Sequence, residues 1–396
     1  MPPMRVALIT NTVGKTGGLE RYASELAGAL SHLGADVTLI GKPLESALPG
    51  SELRSDGVRV IRISAPSKRE ATFALRYPYV TALGAHRAVR GLPPDTIVHG
   101  HFAVPMLSFA LARRRYLYTF HAPVYRELLI ERQGSFALPP ILQGTAVAGL
   151  RTAERLVTSS ARAITVLSEF MRHELSVLSP RAGDGAVLLP GGIDTRRFSA
   201  GAAERPAWAE GADPLLFTAR RLAPRTGVTE LIEAMPEILT THSDALLAVA
   251  GAGREETRAR AAIGRLGLEA RVLLLGRVSD EELVRCYRTA DLFVMPTQEL
   301  EGFGLSTAEA LACGTPAIGT PVGATPEILA PLDPRLVTPD RTPSGIARGI
   351  VDVLADPALL ERVRRQARAR VEPAMSWPVI AERFLELYAR LPNSRA

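Results

Sequence analysis

Two glutamates, Glu301 and Glu309, stand eight positions apart around Gly302-Phe303-Gly304-Leu305 in a chain of 396 residues. The stretch follows an apolar run, Leu292–Met295, that reads as a strand, and it leads into a helix expected over Thr307–Ala312 and closed by Gly314. Gly302 and Gly304 let the backbone turn sharply and come close to a ligand. A helix that starts at such a turn offers free N–H groups to an anion, and a diphosphate suits that arrangement best. Both carboxylates can then face one bound molecule. The competing reading is a capping box, because Ser306 and Glu309 have the Ser-x-x-Glu spacing in which the glutamate reaches back to the serine N–H. Two acidic residues around a glycine turn at a strand–helix junction favour the ligand-binding reading.

Other residues of chemical interest are scattered. His121, in Tyr118-Thr-Phe-His-Ala-Pro123, follows a strand and precedes a proline, which favours an active-site role over a structural one. His99 and His101 flank a strand end, but an i, i+2 pair without a third ligand does not make a metal site, and both are assigned to packing and loop shape. Gly251-Ala-Gly-Arg254 imitates the start of a dinucleotide fingerprint. Its third glycine is replaced by Glu256, and no acidic residue ends the following strand, Val272–Leu275, so hydride transfer has little support. The chain has no Asp-x-Asp motif, and divalent-metal chemistry has no obvious ligands.

These residues are positioned by an alternation of short apolar runs with longer helical patterns, the signature of βαβ units and parallel sheets. In the first half, strands are expected at Arg5–Thr10, Asp36–Ile40, Val58–Ile63, Thr96–Val98, Tyr116–Phe120, Ala163–Val166 and Ala186–Leu189, with a helix over Leu19–Leu33. The stretch 199–214 is rich in Ala, Gly and Pro without apolar periodicity and reads as a linker. A second series follows, with strands from Leu215 and at Leu246–Ala250, Val272–Leu275, Leu292–Met295 and Ala317–Gly319. Its helices are expected at Val228–Leu239, Thr257–Leu266 and Asp280–Ala290. A last helix runs from Ser376 to about Leu391 with Pro378 in its first turn. The expectation is two doubly wound Rossmann-like α/β domains, 1–198 and 215–375, with the final helix over 376–396. Ligands of such domains collect at the carboxyl ends of the strands, and the cleft between two of them is the default site.

Composition narrows the classes. A hydrophobic content of 46% with 22% charged residues fits a globular enzyme. No apolar run approaches the roughly 20 residues of a membrane span, and the N-terminal apolar segment is too short for a signal peptide. Cys286 and Cys313 alone do not make a disulfide framework and fit a reducing cytoplasm. A net charge of +6, with 5% aromatics and no basic stripe, gives nucleic acid little support. Arg113-Arg-Arg115 reads as a solvated helix end, with peripheral contact to anionic lipid left open. The apolar segment 126–148, with Phe136-Ala-Leu-Pro-Pro-Ile-Leu142, reads as irregular and either lines an acceptor site or only packs.

The Glu301–Glu309 segment, followed by Cys313-Gly-Thr-Pro316, resembles the E-x7-E signature of glycosyltransferase family 4, retaining enzymes of the GT-B fold. The resemblance extends over nearly the whole chain. Gly17-Gly-Leu-Glu-Arg-Tyr22 is similar to the family's first glycine-rich loop, which approaches the donor diphosphate and the acceptor, so Gly17 and Gly18 are carried over. Arg220-Arg-Leu-Ala-Pro-Arg-Thr-Gly227 resembles the phosphate-clamping run G-R-L-x-x-x-K-G. Arg221 stands at the arginine position, Thr226 replaces the lysine, and Arg225 stands one position earlier with forked donors suited to phosphate. The resemblance further implies His121 beside the donor sugar, Glu301 on the sugar hydroxyls and Glu309 on the ribose hydroxyls. It also places Gly302, Phe303, Gly304 and Leu305 at the donor and Val278 at the base. It implies a metal-independent hexosyltransferase that uses a nucleotide-diphosphate sugar, UDP-sugar favoured, as substrate and needs no cofactor. The acceptor stays open between a glycan, a lipid, a small thiol precursor and an aminocyclitol or other secondary metabolite. A nucleotide-sugar epimerase or hydrolase on the same fold, an NAD-dependent oxidoreductase and a silent binding module remain as alternatives.

Overall fold

The computed structural model describes residues 3–14, 17–43, 50–67, 72–131 and 140–391. Contacts divide the chain into two units, Met1–Gly192 with Trp377–Ala396, and Ile193–Ser376.

The first unit holds β1 (Arg5–Thr12), β2 (Asp36–Lys42), β3 (Gly50–Leu53), β4 (Arg59–Arg62), β5 (Ile97–Gly100), β6 (Leu117–Phe120), β7 (Ala163–Val166) and β8 (Val187–Leu188). They form one sheet in the order β3-β4-β2-β1-β5-β6-β7-β8, parallel except for the antiparallel pair β3–β4. Val6, Ala7, Leu8 and Ile9 are all fully buried. Strands covered on both faces read as continuous apolar runs, which is why most of them are visible in the sequence. β3 is exposed at every residue and carries no such run.

Segment 126–148, expected to be irregular, is helical wherever it is described. It falls in the helices Val124–Glu131 and Pro140–Ser160, and residues 132–139 lie outside the described residues. The final helix, Trp377–Ala389, belongs to the first unit. Its Tyr388 hydroxyl lies 2.7 Å from His99 Nδ1, and Trp377 meets Tyr22 edge-on with ring centroids 5.2 Å apart. A Cβ on Gly192 would fall 2.3 Å from the Trp377 ring, so only glycine lets this helix seat.

The second unit is a five-stranded sheet of β9 (Leu215–Ala219), β10 (Leu246–Ala250), β11 (Val272–Gly276), β12 (Leu292–Met295) and β13 (Ala317–Gly319). The order is β11-β10-β9-β12-β13, all parallel. The stretch read as a linker, 199–214, is grouped with this unit. It is held by single anchors instead of a periodic face. Ala209 is fully buried, Arg205 pairs with Asp291 at 2.7 Å, and Ser199 O accepts from Arg288 Nε at 2.7 Å.

In both sheets the strand order reverses once. From β9 the chain adds β10 and β11 on one side and then β12 and β13 on the other, so β9 and β12 are parallel neighbours with connections leaving on opposite sides. β1 and β5 stand in the same relation in the first sheet. The carboxyl ends of such strand pairs are where open α/β sheets bind ligands.

His99 and His101 are buried at the end of β5. Burial first, and the neighbouring imidazoles second, hold both well below the usual 6.5. The folded protein therefore stays neutral where the unfolded chain takes up protons. Above that value neither state is charged; below it stability falls by up to about 1.4 kcal/mol per histidine for each unit of pH. The melting temperature should drop steeply from about pH 6.5 to about pH 5, and His99→Gln, less stable at neutral pH, should show a shallower drop. Equal slopes in the two proteins would refute this assignment.

Candidate functional site

The acidic loop lies at the carboxyl ends of β9 and β12. Arg220 follows β9, and its Nη1 sits 2.8 Å from Glu301 Oε2. Its Nη2 donates to Thr297 Oγ1 at 3.1 Å, and that hydroxyl donates in turn to Glu301 Oε2 at 3.2 Å. Burial pushes the Glu301 carboxyl up, but the Arg220 and Arg225 guanidiniums outweigh it and hold the group below its ordinary 4.5. Arg225, on the turn Pro224–Thr226, donates from Nη1 to Leu300 O at 3.2 Å. The loop backbone is tightly determined. Leu300 has φ +53°, and a Cβ on Gly323 would fall 2.3 Å from Glu301 O.

The helix after this loop is Leu305–Ala312, two residues earlier in its start than expected. Gly304 is its N-cap at φ +89°, a left-handed conformation that glycine adopts without strain, and no side chain caps the helix. Ser306 thus lies inside the first turn, and its hydroxyl donates to Ala219 O at 3.0 Å. The capping box is not formed. Glu309 is buried, and its Oε2 accepts from the Tyr287 hydroxyl at 2.9 Å. Phe303 and Gly304 are buried beside it, while Gly302 and Leu305 are half-buried.

In the basic turn, Arg221 is exposed and Arg225 half-buried. Thr226, at the position where the family-like run has lysine, is buried and ties the turn together. Its hydroxyl donates to Arg221 O at 2.8 Å and Ala223 O at 2.7 Å. The side chain is thereby committed to the turn. Gly227 has φ +73°, and a Cβ there would meet Pro296 O at 1.7 Å. Gly251 and Gly253 have a similar packing reason, since a Cβ would lie 1.8 Å from Arg220 O and 2.1 Å from Leu222 O respectively. Their glycine identity follows from backbone contact, with no need of a dinucleotide. Val278 is half-buried between β11 and the helix Asp280–Thr289. Arg220 was missed by sequence reading. Its one signal was its place at the first position of the family-like run, where the pattern has glycine.

In the first unit, Gly17 is the N-cap of the helix Gly18–His32, again with no side-chain cap. A Cβ on Gly18 would meet nothing within 4 Å. Glu20 in the first turn takes a 3.5 Å contact from Asn11 Nδ2, and burial raises its carboxyl. His121 follows β6, with Nε2 3.1 Å from His101 Nδ1 and its ring 4.8 Å from that of Tyr22. Burial pushes its imidazole down to about 3. His101 and His121 are brought together because β5 and β6 are adjacent and both end in a histidine loop. Arg113-Arg-Arg115 lies past the helix Ala103–Leu111, with Arg113 and Arg115 exposed. Among the described residues, no three His, Cys, Asp or Glu side chains are grouped to hold a metal ion, and no helix is long and apolar enough to cross a membrane.

Comparison with known proteins fits this architecture. A family model described as "Glycosyl transferase 4-like domain" matches residues 17–191, and one described as "Glycosyl transferases group 1" matches residues 202–370. The chain is 28% identical over 337 residues to phosphatidyl-myo-inositol mannosyltransferase of Mycobacterium tuberculosis, covering 76% of this chain and 86% of that one. It is 30% identical over 219 residues to the GDP-mannose-dependent monoacylated alpha-(1-6)-phosphatidylinositol monomannoside mannosyltransferase of Corynebacterium glutamicum. That match takes in 52% of this chain and spans little more than half, 56%, of the relative. In fold it is similar to sucrose-phosphate synthase from Thermosynechococcus elongatus, with a TM-score of 0.77 at 23% identity over 98% of this chain and 99% of that one. It is also similar to Anabaena HepE in complex with UDP-glucose, with a TM-score of 0.75 at 18% identity over 98% and 100% of the two chains. With one glycosyltransferase family model matching each of its two units, the chain belongs to the family 4 glycosyltransferases of the GT-B fold.

Proposed function

We propose that this glycosyltransferase moves a sugar from a nucleotide-diphosphate donor, UDP-sugar favoured, to a hydroxyl of a small-molecule, secondary-metabolite or glycolipid acceptor, with retention of the anomeric configuration. The observation that carries the reading is the uncapped start of the helix Leu305–Ala312, set between Glu301 and Glu309. Helix N–H groups without a side-chain cap favour an anion at that point, and Arg221 and Arg225 stand on the neighbouring turn. These cations and dipoles meet the charge that develops on the departing diphosphate, which is what the site must stabilise. They supply it from the chain itself, so no metal or cofactor is proposed. Glu309, fixed by Tyr287, takes the ribose hydroxyls, Glu301 takes the sugar hydroxyls, and Val278 offers backbone to the base. In the first unit, Gly17 and Gly18 leave room for the diphosphate and acceptor, and His121 serves the donor sugar. Attack on the same face that the diphosphate leaves, with the departing phosphate accepting the acceptor's proton, accounts for retention. The free, buried thiols of Cys286 and Cys313 support a cytoplasmic location. No residue geometry favours an epimerase or an oxidoreductase.

A screen of melting temperature against UDP, GDP, ADP and NAD tests the donor class. A nucleoside diphosphate at about 100 times its Kd should add about 2.7 kcal/mol of stability, and NAD should add none. Silence from every diphosphate would end this reading. For the ribose contact, Glu309→Gln keeps an acceptor for the Tyr287 hydroxyl while removing the charge. It should melt near the native temperature and lose about 10- to 100-fold in kcat/KM for the donor, the range for a hydrogen bond to a charged group. Undiminished kcat/KM would remove Glu309 from the site.

A further inference from the structure

We propose that Arg220 is a positioning residue that, with Thr297, aims Glu301 at the donor sugar and so selects donors offering a hydroxyl there over donors presenting an anion. The proposal rests on the donor reading above and concerns only the sugar end of the donor. Three observations carry it. First, the Arg220 guanidinium is enclosed, its side chain only 8% exposed. Its Nη1 meets Glu301 Oε2 and Met295 Sδ, the latter at 3.0 Å, and its Nη2 meets Thr297 Oγ1. Both Nη atoms are thus engaged inside the protein, and the one donor without a partner, Nε, is itself buried. Second, the contacts of Glu301 with Arg220 at 2.8 Å and with Thr297 at 3.2 Å both fall on Oε2, so these two partners hold one edge of the carboxylate. Third, the backbone beneath both partners is pinned. Ala324 N donates to Glu301 O at 2.9 Å, and Thr320 Oγ1 donates to Thr297 O at 2.5 Å.

An ionised carboxylate only accepts hydrogen bonds, so what it recognises must donate one, as a sugar hydroxyl does. A uronate carboxylate in the same place would set two anions against each other. The charged groups facing Glu301 among the described residues are Arg220, at the end of β9, and Arg225, on the following turn. Removing Arg220 would leave burial opposed only by Arg225 and the Thr297 hydrogen bond. The carboxylate would then protonate at higher pH, and its angle would no longer be set.

The test uses the full chain, the nucleoside diphosphate that binds best in the screen, its hexose conjugate and its uronate conjugate. In Arg220→Gln, affinity for the diphosphate alone should stay within about twofold, while kcat/KM for the hexose donor falls about 10-fold or more. The acid limb of kcat/KM against pH should rise by about one unit or more, and the preference for hexose over uronate should narrow. Arg220→Lys keeps the charge without the fork. It should leave the acid limb in place while losing part of kcat/KM, and it carries the test if the glutamine variant does not fold. Thr297→Val removes only the second contact and should lower kcat/KM without lowering diphosphate affinity. Equal losses for the diphosphate and its hexose conjugate in these variants, or an acid limb unmoved in Arg220→Gln, would reduce the pair to a structural ion pair and overturn the proposal. Failure of the native protein to bind any diphosphate would instead strike the donor reading itself, and this proposal with it.

Discussion

The helix Leu305–Ala312 starts without a side-chain cap, and the loops around it are arranged to keep it so. An orphan N–H kept from water costs about 1–3 kcal/mol, a cost that a bound anion removes. Ser306, the nearest residue able to cap, is drawn away to Ala219 O on β9. Gly304 in the left-handed region starts the helix at once, before a serine or aspartate can intervene. The approach of the neighbouring loops depends on glycines whose missing Cβ is filled by backbone: Gly227 against Pro296, Gly251 and Gly253 against Arg220 and Leu222, and Gly323 against Glu301. Each of these contacts brings one more loop to the carboxyl ends of β9 and β12.

In the proposed site a carboxylate stands beside a bound anion, and the Arg220–Glu301 pair would resolve that conflict locally. Paired at 2.8 Å, the two contribute little net field. A buried pair of this kind is weak evidence for stability, because desolvating both ions costs about as much as their attraction returns. What the pair does supply is direction, since an arginine fork and a threonine hydroxyl fix a carboxylate better than packing alone. Thr226 fits the same economy of charge. A threonine there gives its hydroxyl to two carbonyls of the turn, and the cation of that turn is Arg225, whose Nη1 holds Leu300 O.

Much of this was legible in the sequence, and the exceptions have physical causes. Buried parallel strands announce themselves as apolar runs, so the strands flanking the site were placed within a few residues. The exposed strand β3 has no apolar pattern to read. The described parts of segment 126–148 are helical although the sequence shows no clear helical period there. The stretch 199–214 looked like a linker because it is held by isolated anchors such as Arg205 on Asp291, a contact between residues 86 positions apart. The capping box failed on a shift of two residues in the helix start, which spacing alone cannot set. Arg220 was invisible for a related reason, because its partner lies 81 positions on (301 less 220) and meets it only through the adjacency of β9 and β12.

The two units differ in the charge their site residues carry at neutral pH, and this constrains the chemistry. In the first unit, burial keeps His99, His101 and His121 neutral, with His121 charging only near pH 3. A neutral imidazole can orient a sugar hydroxyl as donor or acceptor, but it cannot neutralise a leaving diphosphate. Gly18 borders open space, and Gly17 lies against the Glu20 carboxylate. In the proposed function, the charge on the departing diphosphate is met within the second unit, by Arg221, Arg225 and the uncapped start of the helix Leu305–Ala312. With arginine as the proposed cation, that positive charge does not depend on protonation near neutral pH.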